Sequence, residues 1–241
     1  MRGSELSDVI DGGLRAPDQG GLTFLDSSGD DSLFGSNQND VFQLNDLGGI
    51  KQIDGGEGSD RVQISLIGSA ADPRGIYFEG SRIYSFARGL QNPAGSPQFL
   101  TELARVSGIE VIQTDAGNDL LIINSGSSLE GQAISLTAGD GDDTLKGGAG
   151  LNLLDGGRGR NTYYINSATD RIAEAGSNSR VITSIDLDLN APSNALGQST
   201  DLNRISELVL APASSTEGLV VAGNLLANTI TGSSLADLIV L

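Results

Sequence analysis

The chain has 241 residues, of which 34 are glycine and only 4% aromatic, a composition that suits turn-rich β structure around a sizeable core better than a helical bundle. Asp and Glu number 31 against 14 Lys and Arg, a formal charge of −17 that repels nucleic acid and anionic lipid and attracts cations. Cysteine and histidine are absent, which excludes disulfides, thiolate zinc sites and imidazole bases, and no apolar run reaches the roughly 18 residues of a membrane-spanning helix.

The first residues, MRGSELSDVIDGG, lack the apolar core of a signal peptide. They open instead a nine-residue pattern: small-Gly-x-Gly-x-(Asp/Asn)-x-apolar-x. Copies begin at Gly3 (GSELSDVID), Asp26 (DSSGDDSLF), Gly35 (GSNQNDVFQ) and Gly55 (GGEGSDRVQ), so residues 1–63 form a first repeat block. Position six is Asp8, Asp31, Asp40 and Asp60; position eight is Ile10, Leu33, Phe42 and Val62.

Residues 64–113 interrupt the pattern. IYFEGSRIYSF (76–86) predicts a β-hairpin with Gly80-Ser81 as a two-residue type II′ turn. RGLQNPAGSPQFL (88–100) predicts an exposed loop, and FLTELARVSG (99–108) a short helix. Tyr77, Phe78, Tyr84 and Phe86 lie along the hairpin. They are read as packing against the repeats, with a sugar-binding platform as the alternative.

The pattern returns over 114–165, with units from Thr114, Ala138, Gly147 and Gly156. Position six is then Asp119, Asp143, Asn152 and Asn161, and position eight Leu121, Leu145, Leu154 and Tyr163. Residues 166–222 carry the longer apolar runs RVITSIDLDL and ISELVLA, read as longer strands, with a polar loop NAPSNALGQSTD between them. IDLDLN (185–190) begins like an EF-hand loop but has Ala191 at the tight-turn position and Gly197 where the Glu belongs, so it reads as a strand with one wet face. Residues 223–241 hold two last units, from Gly223 and Gly232, with Asn228 and Asp237 at position six and Ile230 and Ile239 at position eight.

Glycines at positions one, two and four suit a tight turn with positive φ, and the next residues extend as a short strand whose eighth side chain points inward. One unit cannot bury that side chain alone. Two units make a coil, and stacked coils bury a continuous core. The predicted fold class is all-β: a parallel β-roll or β-solenoid of degenerate nonapeptide repeats, interrupted by a β-hairpin insertion and a longer-stranded segment.

Gly55 to Gln63 fits GGxGxDxUx at every defined position, and Ala138 to Lys146 misses only the first glycine. These residues resemble the RTX, or haemolysin-type calcium-binding, nonapeptide repeat. The stretch from NTYYINSATD to NTITGSS is similar to the segment that separates repeat blocks in secreted members. The resemblance implies a parallel β-roll with Ca2+ between its turns, ligated by position-six carboxylates and turn carbonyls. The metal-ligating set is then Asp8, Asp31, Asp40, Asp60, Asp119, Asp143, Asn161 and Asp237. Oxygen donors of this kind suit calcium, which takes six to eight of them at about 2.3–2.6 Å. A site pairs units two apart. Asp143 with Asn161 is the uninterrupted pair, while Asp8 with Asp31, Asp40 with Asp60 and Asp119 with Asp143 need extra residues looped out. Fewer and weaker sites than in a regular array are expected. Asn152 and Asn228 lack an evident acidic partner and read as turn caps.

The chain shows no GxSxG, P-loop, GxGxxG or HExxH motif. A polysaccharide lyase or epimerase would need a carboxylate with Tyr or Lys on a solenoid face, and no such cluster is visible among the four tyrosines. The chain is therefore read as no enzyme. The leading function is a calcium-binding module of a secreted bacterial protein that passes a type 1 exporter and folds outside the cell on binding calcium. The alternative is an extracellular surface or matrix adhesion protein that binds glycan or its own copies. The terminal ADLIVL fits both a last repeat and an RTX-type C-terminal export signal, and a chain cut within the array is a third reading.

Overall fold

The computed structural model describes residues 1–240 except 46–47, 66–73, 80, 88–100, 124–130, 191–192, 195–196, 199–201 and 212–216. The loop expected at 88–100, the turn type at Gly80 and much of the polar loop after Asn190 lie outside the described residues.

Each repeat folds as a turn followed by a short strand, and the chain alternates between two walls for about eight turns of a parallel β-solenoid. On one wall, β2 (Thr23–Leu25), β4 (Val41–Leu44), β6 (Arg61–Ile64), β10 (Val111–Thr114), β12 (Ser135–Thr137), β14 (Leu153–Gly157) and β16 (Arg171–Glu174) are hydrogen-bonded in that order. The other wall begins with β1 (Val9–Asp11), β3 (Ser32–Phe34), β5 (Lys51–Asp54) and β9 (Thr101–Ser107). It resumes with β11 (Leu120–Ile122), β13 (Thr144–Lys146), β15 (Thr162–Ile165), β17 (Ser179–Thr183), β21 (Ile205–Leu210) and β23 (Thr229–Thr231). A short parallel sheet of β18 (Leu187–Asp188), β22 (Val220–Ala222) and β24 (Leu238–Val240) accompanies the last turns. β19 (Ser193–Asn194) and β20 (Gly197–Gln198) form a small antiparallel pair.

The eighth positions meet in register and build one core. Leu121, Leu145, Tyr163 and Val181 pair in sequence on one wall, and Phe42, Val62, Ile112, Leu136, Leu154 and Ile172 on the other; none exceeds 1% exposure. Phe24 and Phe42 stack with ring centroids 4.6 Å apart. Burying each such side chain stabilises the fold by about 1.5–3 kcal/mol, which one unit alone could not obtain.

The glycines divide by task. Gly56 and Gly58, at positions two and four, adopt φ of 90° and 133°, a region open to glycine. Position one, expected to share this conformation, does not. Gly55 is instead needed for close approach: a Cβ there would lie 1.9 Å from the carbonyl oxygen of Gly108.

The predicted hairpin forms. β7 (Arg74–Glu79) and β8 (Arg82–Ala87) are antiparallel with Tyr77 opposite Tyr84, and β8 pairs antiparallel with β9. Ile76 and Ile83 enter the main core, while Tyr77, 5% exposed, packs with Leu120, Tyr84 and Ile122 in a second cluster. The helix expected over 99–108 is wrong: Thr101–Ser107 is strand β9, held between β5 and β8. Its Leu103, Ala104 and Val106 are buried in the same core as β5 and β8, and these tertiary partners outweigh the local helix propensity of FLTELA. The coil also continues through β16 and β17, beyond the last unit legible before 166. At 185–190 Leu187 and Leu189 are buried while Asp186 and Asp188 are exposed, the one-sided alternation expected of a strand.

Candidate metal centre

Stacking in register turns position six into columns along the two edges of the solenoid. Beside the seven-stranded sheet the column runs Leu22, Asp40, Asp60, Glu110, Ile134, Asn152, Asp170. Beside the other wall it runs Asp8, Asp31, Lys51, and, after the hairpin, Asp119, Asp143, Asn161, Ser179. All four pairs expected from spacing are neighbours. Asp237 stands half-buried in the final coil.

One geometry recurs. At several position-six residues a side-chain oxygen accepts a hydrogen bond from the backbone N–H of its counterpart one coil earlier. Asp31 Oδ1 accepts from Asp8 N (2.9 Å), Asp60 Oδ1 from Asp40 N (2.7 Å), Asp143 Oδ1 from Asp119 N (2.6 Å) and Asn161 Oδ1 from Asp143 N (2.9 Å). Glu110 Oε2 takes the same place, accepting from Asp60 N at 2.8 Å. The residue thus caps a strand with one oxygen and leaves a second for other work.

Position two decides what that second oxygen meets. In four units it is serine. Ser36 donates its N–H to Asp40 Oδ2 at 2.5 Å and its hydroxyl at 3.0 Å. Ser233 does the same for Asp237 Oδ2 at 2.6 and 3.0 Å. Ser4 bonds Asp8 Oδ2 through both groups, and the Ser27 hydroxyl lies 3.2 Å from Asp31 Oδ2. These carboxylates are closed by their own turns. Where position two is Gly56, nothing closes Asp60, and its buried Oδ2 has no hydrogen-bond partner. Burial, with repulsion from Asp40, Glu110 and Asp54, pushes the Asp60 carboxyl up to about 7 against the bond from Asp40 N–H. By contrast, the N–H of Leu219 and both Ser233 groups hold Asp237 below the usual carboxylate range.

Asn152 gains the acidic partner that the sequence reading denied it. Its Nδ2 donates to Asp170 Oδ1 at 2.9 Å, both residues are fully buried, and Asn152 Oδ1 and Asp170 Oδ2 have no hydrogen-bond partner. Burial raises the Asp170 carboxyl to about 6. Asn228 caps its own turn, as expected, with Oδ1 accepting from Asn224 N at 2.7 Å.

Glu110, Asp170 and Lys51 escape a pattern that admits only Asp or Asn at position six and requires glycines. The apolar position was the usable signal: Ile112, Ile172 and Ile53 each follow two residues later.

Oxygen is the available donor throughout, as calcium requires. A Cβ placed on Gly55 would lie 2.6 Å from Asp60 Oδ2 as well as 1.9 Å from the Gly108 carbonyl, and one on Gly35 would lie 1.9 Å from the Gly55 carbonyl and 2.8 Å from Asp40 Oδ2. Carboxylate and carbonyl oxygens therefore converge at Gly35 and Gly55. Among the described residues no three acidic groups converge to hold an ion by themselves, so turn carbonyls and water must complete any shell. The residues fit calcium in that mixed form.

The family model of the RTX calcium-binding nonapeptide repeat matches the chain in four copies, over residues 23–46 and 135–164. Those stretches contain Asp31, Asp40, Asp143, Asn152 and Asn161 at position six. No curated protein matches the chain.

Proposed function

We propose that this chain, a calcium-binding β-roll module carrying RTX nonapeptide repeats, serves a secreted bacterial protein as its calcium-triggered folding segment. The observation that carries the reading is the edge formed by Asp40, Asp60 and Glu110, where acidic groups on successive coils repel one another and the buried Oδ2 of Asp60 has no hydrogen-bond partner.

The binding residues proposed first are Asp60 with Glu110, Asp170 with Asn152, and Asp143 with Asn161, each with carbonyls of the adjoining turns. Asp8, Asp31, Asp40, Asp119 and Asp237 are proposed as weaker contributors. Asp8, Asp40 and Asp237 are the more strongly engaged by serine at position two. Calcium held there supplies positive charge that turns repulsion between coils into attraction. Binding then becomes folding free energy, because the sites exist only in the stacked state. At low cytosolic calcium the coils that depend on the ion are only marginally stable, so the acidic chain opens readily for a type 1 exporter, and it gains its full stability on reaching millimolar calcium outside. Burial of Tyr77 against Leu120 argues against the hairpin as a sugar platform.

Circular dichroism of the full chain, titrated from chelator into millimolar calcium, tests this. A rise in β signal and melting temperature is expected. An unchanged spectrum and melting point would refute the proposal.

A further inference from the structure

One position in the two columns carries the opposite charge. Residues 46–54, DLGGIKQID, form a degenerate repeat with Lys51 at position six and Ile53 at position eight. Ile53 is buried and pairs with Leu33, so strand β5 of this unit sits in a regular coil. Lys51 is 1% exposed and stands one coil beyond Asp31, whose carbonyl accepts from Gln52 N at 2.7 Å.

Its ammonium does not reach solvent, as lysine heads ordinarily do. Nζ donates to the carbonyl oxygens of Gly29 at 2.6 Å and Gly48 at 2.5 Å, and lies 3.3 Å from Asp26 Oδ1 and 3.7 Å from Asp31 Oδ2. Two turn carbonyls from successive coils and two carboxylates, one of them at position six, surround a single buried cation. This is the kind of donor set the calcium edge offers elsewhere, here closed around a group of the chain itself. The ammonium is a compact point charge with three donors, suited to such a cage. Buried charges of this kind are tolerated only where partners replace the lost hydration.

We propose that Lys51 is a tethered substitute for a metal ion, so that the coils from Asp26 to Asp54 assemble without calcium. The inference rests on the proposed calcium edge, yet its first test needs no calcium at all. The tether keeps a cation in the cage at every calcium concentration. The N-terminal coils would then stand folded in chelator as a template on which the calcium-dependent coils stack.

Hydrogen exchange on the unmodified full chain in chelator should find the amides of Ser32, Gly35 and Gln52 more protected than those of Thr162 and Arg171. Equal or lower protection overturns the proposal. Lys51→Asn places a short oxygen ligand at position six and removes the ammonium. It should lose that protection in chelator, recover it in millimolar calcium and bind one more ion per chain than the parent, measured by equilibrium dialysis. Lys51→Met keeps a long unbranched stem without charge, and should lose protection in both conditions with no ion gained. Unchanged protection in chelator for Lys51→Asn, or no added ion, overturns the substitution. Calcium uptake by the unmodified chain reports on the wider edge separately: its absence sinks the calcium proposal and leaves the chelator result on Lys51 standing.

Discussion

Asp60→Asn separates a metal edge from an ordinary turn cap, because the two give opposite signs in chelator. Asp60 Oδ1 caps Asp40 N, and the amide oxygen of Asn would keep that bond. What changes is charge. The carboxyl stands at about 7 in the folded chain against 3.8 ordinarily, so at pH 8 its ionised form opposes folding. Taken whole, that difference corresponds to about 4 kcal/mol. Asp54 is exposed and Glu110 half-exposed, so water screens their repulsion, and roughly 1–2 kcal/mol is the working figure. The Asn variant should therefore be more stable than the parent in chelator at pH 8. For a chain of this size that raises the melting temperature by roughly 2–8 °C.

Calcium should narrow that gap. A site occupied at tenfold above its dissociation constant stabilises by about 1.4 kcal/mol, and an amide ligand without charge binds more weakly than a carboxylate. The calcium-induced rise in melting temperature should be smaller for Asp60→Asn than for the parent. The assay is thermal denaturation at pH 8, in chelator and in 5 mM calcium (on the order of extracellular levels). A variant that melts below the parent in chelator would refute the reasoning, since Asp60 would then be stabilising the fold by itself.

Other predictions follow from the same geometry. Leu145→Ala, between Leu121 and Tyr163 in the core, should cost about 2–5 kcal/mol in urea unfolding with calcium present; a cost under about 1 kcal/mol would contradict the stacked core. Asp60 and Asp170 hold their protons to about 7 and about 6 when folded, against 3.8 for the ordinary carboxyl. Between those values the folded state binds more protons than the unfolded one, so stability falls as pH rises. In chelator the melting temperature should therefore increase from pH 8 to pH 5, and a decrease over that range would refute the assignment.

The fold was more legible than the edge. From Leu33 to Tyr163 position eight is filled by one physical demand, burial between neighbouring coils, and so shows the period directly. Ile10 and Ile230 are only partly buried, and Ile239 in the last coil is 38% exposed. Position six answers to several demands. It must cap the preceding coil, which Asp, Asn, Glu and even Ser179 do with one oxygen, as at Asn161 N to Ser179 Oγ, 2.9 Å. A template demanding Asp or Asn was blind to Glu110 and to the cation at Lys51. Asp170 was hidden differently, in NSATDRIAE, where the glycines that signal the turn are gone. The helix expected at 99–108 failed because FLTELA has helical composition, while the burial of Leu103, Ala104 and Val106 depends on β5 and β8, β5 being distant in sequence.

These demands explain why the acidic edge is uneven. A position-six carboxylate has one oxygen committed to the coil before it, so only the second is available, and each coil disposes of that oxygen differently. Ser4, Ser36 and Ser233 bind it with the turn's own N–H and hydroxyl, so that oxygen is already satisfied within its coil. Lys51 brings a cation on the chain. Ile134 gives up charge at its step of the column altogether and is buried. Asp60 and Asp170, with neither serine nor lysine, keep a buried oxygen without a hydrogen bond and a raised carboxyl. If calcium binds as proposed, its effect belongs to particular coils and follows from residue two as much as from residue six. A count of Asp at position six would overstate the number of ions the edge requires.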